Sequence, residues 1–211
     1  MPSLVLYVGN KNLSSWSLRP YLALAHIGVP FDHVVIALDT PSTAQQIAAV
    51  SPSGRVPALH DGNLIVWDSY AICEYLAERF PAAKLWPEDA ETRATARSVS
   101  AEMHSGFADL RRELPMNITA RTHVQPSVGA ARDVRRILRI WSDCRAQFAA
   151  SGPFLFGTFS IADAMFAPVV TRFVTYQLEV DGIAQQYMDA VLAMPAMREW
   201  IANAAAETSA R

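Results

Sequence analysis

Long apolar runs, cysteines and excess charge of either sign are all scarce in this 211-residue chain, and each scarcity removes a class of protein. No eighteen apolar residues run uninterrupted, and no basic stretch precedes an apolar one at the N-terminus. A membrane span and a secretory leader are therefore disfavoured, and a cytoplasmic protein is expected. The two cysteines, Cys73 and Cys144, stand far apart without a C-x-x-C or metal-ligand spacing, which argues for a reducing compartment and against a dithiol redox site. With a formal net charge of -2 there is no basic surplus to meet a nucleic acid. Charged residues at 18% against 51% hydrophobic argue against extensive disorder. A chain this long can bury a real core, and two compact units are expected.

The first unit is legible from changes of period. Leu4-Val5-Leu6-Tyr7-Val8 reads as a strand and Tyr21-Leu22-Ala23-Leu24-Ala25 as part of a helix running to about Ile27. Gly28-Val29-Pro30 breaks the pattern before a second strand, Phe31 to Ile36, so a parallel βαβ pair is expected. A weaker helical stretch from Thr40 to Val50 is closed by Ser51-Pro52-Ser53-Gly54. Two short extended runs follow, Val56 to His60 and Leu64 to Trp67, and Asp61-Gly62-Asn63 between them signals an antiparallel hairpin. Asp68-Ser69 opens a helix that Pro81 stops, giving the order βαβαββα over residues 1–80.

Residues 81–91 read as a linker, and residues 92–211 as an all-helical unit. Met103, Phe107, Leu110 and Leu114 form one helical stripe, and Val134, Ile137, Leu138 and Trp141 form another. Both predict core packing. Ser160-Ile161-Ala162-Asp163 has the spacing of a capping box ahead of an apolar run, which assigns Asp163 to helix initiation.

Three element ends carry candidate chemistry. Asn12-Leu13-Ser14-Ser15-Trp16-Ser17 lies at a strand-to-helix junction, where unpaired backbone N–H groups and the helix dipole favour an anion and the hydroxyls of Ser14 and Ser15 add donors. A simple helix cap is the alternative. Val56-Pro57 enters the third strand either as an ordinary edge proline or with a cis bond that exposes the preceding backbone to an extended ligand. Asp68-Ser69 is either a cap or a polar clamp, with Ser69 for a carboxylate and Asp68 for an ammonium group.

Taken together, Ser14-Ser15-Trp16-Ser17-Leu18-Arg19, Arg55-Val56-Pro57-Ala58-Leu59, Asp68-Ser69 and Ser160-Ile161-Ala162-Asp163 resemble, in order and separation, the motifs of the cytosolic glutathione transferases, over nearly the whole chain. The serine-type activation motif is similar to that of bacterial and zeta-like members. The resemblance implies a thioredoxin-like α/β N-terminal domain that binds glutathione as co-substrate and an all-α C-terminal domain that forms the second-substrate pocket. It implies Ser14, with Ser15 as rival, as the hydroxyl that stabilises the glutathione thiolate. It also implies Val56 and Pro57 against the cysteinyl unit, Asp68 and Ser69 on the γ-glutamyl end, and Arg55 or Gln45 on the glycine carboxylate. Trp16, His104, Phe107 and Arg111 would line the second pocket, and Arg19 would brace the domain interface. A homodimer without metal, nucleic acid or membrane partner is implied, with thiolate attack on small electrophiles as its activity. The resemblance also admits a maleylacetoacetate isomerase of the zeta type, although Trp16 stands where that class usually has cysteine, and a glutathione-binding protein without turnover.

Overall fold

Hydrophobic residues alternate with period two or recur with period 3.6 along the first eighty residues, and the computed structural model, which describes residues 4–209, turns each change of period into an element. In order these are β1 (Leu4–Gly9), α1 (Ser15–Ile27), β2 (Phe31–Ile36), α2 (Thr43–Ala48), β3 (Ala58–Asp61), β4 (Leu64–Trp67) and α3 (Ser69–Arg79). β1 and β2 are parallel across the α1 crossover, and β3 lies antiparallel on the other side of β1. The β3–β4 hairpin completes a sheet of order β2-β1-β3-β4. α1 stops where Gly28 takes a left-handed conformation (φ 75°) and donates its N–H to the Leu24 carbonyl. β3 begins two residues later than the run from Val56 suggests, because Pro57 has no N–H for the ladder.

Helices make up the remainder: α4 (Ala90–Ser105), α5 (Ala108–Glu113), α6 (Val128–Phe148), α7 (Ile161–Thr175), α8 (Gly182–Ala193) and α9 (Pro195–Ser209). Here the first expected stripe is corrected. Met103 and Leu110 lie on different helices, because α4 ends at Ser105 and Phe107 adopts φ 61° before α5 restarts. The four apolar residues are nevertheless all buried, so their spacing reported burial and not one continuous helix. The bend is supplied with partners: the Arg111 guanidinium donates to the Gly106 carbonyl at 2.9 Å and to the Met103 carbonyl, both freed as α4 ends. The second stripe does fall on one helix, α6, where Ile137 and Trp141 are fully buried.

A single hydrophobic core runs through both units, from Leu6, Leu22 and Ile72 to Trp141, Phe166 and Trp200. α7 is its axis, with almost every side chain buried. A helix buried on all sides needs its first-turn N–H groups satisfied internally, and the Ser160–Asp163 capping box does this. One Asp163 carboxylate oxygen accepts from the Ser160 amide (2.8 Å) and hydroxyl (3.0 Å), and the other accepts from the Leu155 amide at 3.0 Å. Burial pushes the Asp163 carboxyl up to about 6, which is the cost of placing it there. Asp163→Ala should lower the unfolding free energy by about 2 to 4 kcal/mol, since it strips several buried donors of their acceptor. Urea denaturation checks this; a loss below about 0.5 kcal/mol would show that the helix starts without the box.

Candidate functional site

Ser14 occupies the N-cap of α1, yet its side chain makes no capping bond. Its amide donates to the Asn10 carbonyl at 2.8 Å, and its hydroxyl lies 2.7 Å from the Ser17 hydroxyl. The simple-cap alternative therefore does not describe this serine. Ser14 and Ser15 are both nearly buried, and both line a cavity of about 420 Å³ together with Leu13, Trp16, Arg55 and Val56. From the helical unit Arg111, Met116 and Arg172 close it.

A second cavity of about 520 Å³ adjoins the first, sharing Trp16, Arg55 and Val56 as walls and adding Ser53, Pro57, Trp67, Asp68 and Ser69. The Val56–Pro57 peptide is cis. Among the described residues no hydrogen bond engages the Val56 N–H or carbonyl, so this backbone edge is open to an extended ligand. At the far end Asp68 holds φ 71° as the N-cap of α3. One of its oxygens accepts from the Tyr70 amide (2.8 Å) and the Ala71 amide (3.3 Å), while the other faces His104 Nε2 at 3.2 Å. Ser69 is buried, and its oxygen accepts from Arg19 Nη1 at 3.2 Å.

Trp16 stands between two guanidiniums, with Arg19 at 4.4 Å and Arg111 at 4.9 Å from its ring. Arg19 is wholly buried, and two of its nitrogens lack hydrogen-bond partners among the described residues. Burial lowers the affinity of Arg19, Arg111 and Arg172 for their protons, with Arg172 brought to about 9 by burial and then by Arg111. All three stay cationic at neutral pH. The cavity beside Ser14 is thus walled by Arg55, Arg111 and Arg172, with no aspartate or glutamate on its lining. No cysteine lines either cavity, and burial pushes the Cys73 and Cys144 thiols up to about 12. The chain therefore offers no thiolate nucleophile of its own here.

Of the residues singled out by sequence, Ser14, Ser15, Trp16, Arg55, Val56, Pro57, Asp68, Ser69 and Arg111 come together on the two cavity walls. Gln45 lies exposed on α2, Phe107 is buried at the bend, and neither lines these two cavities. His104 reaches the site from α4 but packs edge-on to Trp16 (5.2 Å between rings) and pairs with Asp68, away from the serines' cavity wall. Sequence reasoning missed Ser17 and Arg172. A lone arginine inside the apolar run Ala164 to Val174 was a usable signal for the second.

The comparisons agree with this geometry. Residues 13–79 match the model of the glutathione S-transferase N-terminal domain, and residues 99–203 match that of the C-terminal domain. The chain belongs to the glutathione S-transferase family. Among similar proteins, the maleylacetoacetate isomerase of Rattus norvegicus is 34% identical over 110 residues, 51% of this chain and 50% of its own. Glutathione S-transferase Z1 of Arabidopsis thaliana is 33% identical over 95 residues, 44% of this chain and 43% of its own. The chain thus spans about half the length of the curated relatives it matches. A solved glutathione transferase homologue from Burkholderia GL BGR1, with bound glutathione, shares 26% identity at TM-score 0.74 and covers 97% of this chain and 98% of its own.

One titration follows from the site. Burial holds His104 below its ordinary value, Asp68 opposes that, and Arg19 and Arg111 reinforce it. The ring is therefore neutral at pH 7, with Nε2 facing the Asp68 carboxylate. Asp68→Asn should lower the His104 value further, as read by NMR titration of the ring protons. Because the folded value lies below the unfolded one near 6.5, His104's contribution to stability is complete above about pH 6.5 and is lost as pH falls through the folded value. A rise on Asp68→Asn would contradict the pairing.

Proposed function

We propose that this protein is a glutathione transferase that binds glutathione in the larger cavity and stabilises its thiolate with the Ser14 hydroxyl for attack on small electrophiles. What carries this reading is the position of Ser14. It lies on the wall of the smaller, adjoining cavity, next to the Val56 edge that both cavities share, with a hydroxyl not spent on capping. In this reading the cysteinyl backbone pairs with Val56, the γ-glutamyl end meets Asp68 and Ser69, and Arg55 takes the glycine carboxylate. A thiol with a pKa of about 8.5 is only a few per cent ionised at neutral pH. A hydrogen bond made to the thiolate alone contributes roughly 1.5 to 3 kcal/mol, which lowers that pKa by about one to two units. The uncapped start of α1 adds to it. Ser14 then needs only to donate; the thiol proton leaves to solvent. The domains follow as residues 1–80 for glutathione, 81–91 as linker and 92–211 for the second substrate, in a homodimeric cytoplasmic enzyme.

A second reading is supported by the arginine-walled cavity and by the likeness to maleylacetoacetate isomerase. The thiolate would add to a cis-diene diketo acid, the weakened bond would rotate, and elimination would return the thiolate. Arg111 and Arg172 would hold the carboxylate and the enolate charge.

Ser14→Ala should still bind glutathione, by calorimetry, while the thiolate absorbance at neutral pH falls about tenfold or more. An unchanged thiol titration would refute the role of Ser14. Turnover of the cis-diene diketo acid above that of aryl halides selects the isomerase reading, and no turnover removes it.

A further inference from the structure

Two hydroxyls lie 2.7 Å apart at the start of α1, and the direction of the hydrogen bond between them decides whether Ser14 has a proton to offer. Ser17 is fully buried in the first turn. Its oxygen accepts the Gly9 amide at 3.0 Å, so one lone pair is already committed. Among the described residues its only other hydrogen-bond partner is Ser14 Oγ. If Ser14 donated to Ser17, the Ser17 proton would be buried without an acceptor, a costly arrangement. If Ser17 donates to Ser14, every group is satisfied and the Ser14 proton is directed elsewhere. Ser14 differs in that it lines the cavity and so has somewhere to direct it.

From this accounting we infer that Ser17 is a positioning residue, whose hydroxyl donates to Ser14 and so commits the Ser14 proton to the ligand sulfur. The chain of donors runs from the Gly9 N–H through the Ser17 O–H to the Ser14 O–H, ending at the cavity. Each bond in such a chain polarises the next. The Gly9 end is fixed, since Gly9 closes β1 and pairs with Ile36 of β2. A Cβ at Gly9 would come within 2.8 Å of Leu38 and 3.1 Å of Ser14 Cβ, so the strand end and the serine are already in close contact. No proton is transferred along this chain; it sets orientation only.

The inference rests on the proposed thiolate role of Ser14, and the test separates the two. The measurement is the titration of the thiolate absorbance of enzyme-bound glutathione, under saturating ligand, in a double-mutant cycle. Ser17→Ala should raise the bound thiol's pKa by about half a unit to one unit, a threefold to tenfold loss of thiolate at neutral pH. In a Ser14→Ala background the same change should shift nothing further, because the Ser17 hydroxyl acts only through Ser14. A shift of equal size in both backgrounds would overturn the inference, and so would no shift when Ser17→Ala is made in the otherwise wild-type protein, and either leaves the Ser14 role standing. A Ser14→Ala titration identical to the wild type would instead remove the thiolate reading itself, and the inference with it. Should loss of the Gly9 partner prevent folding, Ser17→Cys keeps the volume with a weak donor, and the pKa of the bound glutathione thiol should rise by less than half a unit but measurably. An unshifted value there counts against Ser17.

Discussion

The segment Asn10 to Ser14 is gripped from both units, and the geometry of the serines depends on that grip. Its own turn is closed by the Asn10 carbonyl, which accepts the Leu13 and Ser14 amides, while the Asn10 side chain holds the Leu38 amide at 2.7 Å. From the helical unit, the Trp200 indole donates to the Lys11 carbonyl at 2.8 Å and Glu207 accepts the Lys11 amide at 2.9 Å. Asn117 and Thr119 bond the Asn12 side chain, and the Ile118 amide donates to the Asn12 carbonyl. A loop whose backbone groups are so widely paired has little freedom to move. Ser14 therefore enters α1 without having to cap it, and its hydroxyl is left for other chemistry.

Cations wall the cavity that Ser14 lines, and the Trp16 ring makes the burial of Arg19 and Arg111 tolerable. An isolated buried guanidinium is costly, and among the described residues Arg19 has only the Ser69 hydroxyl as hydrogen-bond partner, with Asp68 as a nearby charge. The face of Trp16 gives it a second, non-directional partner, and Arg111 stacks on the same indole. The indole that divides the two cavities is thereby polarised by positive charge. A site assembled in this way favours negative charge at the point where the cavities meet, whichever ligand brings it. The His104 ring, held down first by burial, is lowered further by Arg19 and Arg111 against the opposing charge of Asp68.

The elements of the first unit were legible because each is announced locally: Gly28 as a left-handed stop, Asp61-Gly62 as a hairpin, Asp68 as a cap. The capping box of α7 was legible for the same reason, since four consecutive residues contain all of it. Phe107 shows the limit. Its spacing from Met103 and Leu110 fits one helix, and nothing in the local sequence reveals that its backbone turns left-handed while its side chain still reaches the core. The partners of Ser17 and Arg172 were illegible because they exist only across distance, although the lone arginine in an apolar run marked Arg172 itself. Ser17 meets Gly9, eight residues back on a neighbouring strand, and Arg172 donates to the Leu114 carbonyl, 58 residues away. His104 was legible as a site neighbour but not in its partner, since only the approach of α4 to α3 brings it to Asp68.

Arg172 also shows how one buried cation serves both stability and a ligand cavity. Its Nε donates to the Leu114 carbonyl at 2.9 Å and its Nη1 to the Pro168 carbonyl at 3.1 Å, so the loop after α5 is tied to the middle of α7. Those two bonds fix the guanidinium plane of a residue that also lines the cavity beside Ser14. A guanidinium held in this way loses no further side-chain freedom when an anion arrives, which is the usual obstacle to using a long flexible cation for recognition. Arg111 is fixed by the same device, through the carbonyls that end α4. The bend at Phe107, which interrupts the helix, thus creates the unpaired carbonyls that hold Arg111 at the cavity wall. The irregular element of the helical unit is the one that shapes its contribution to the site.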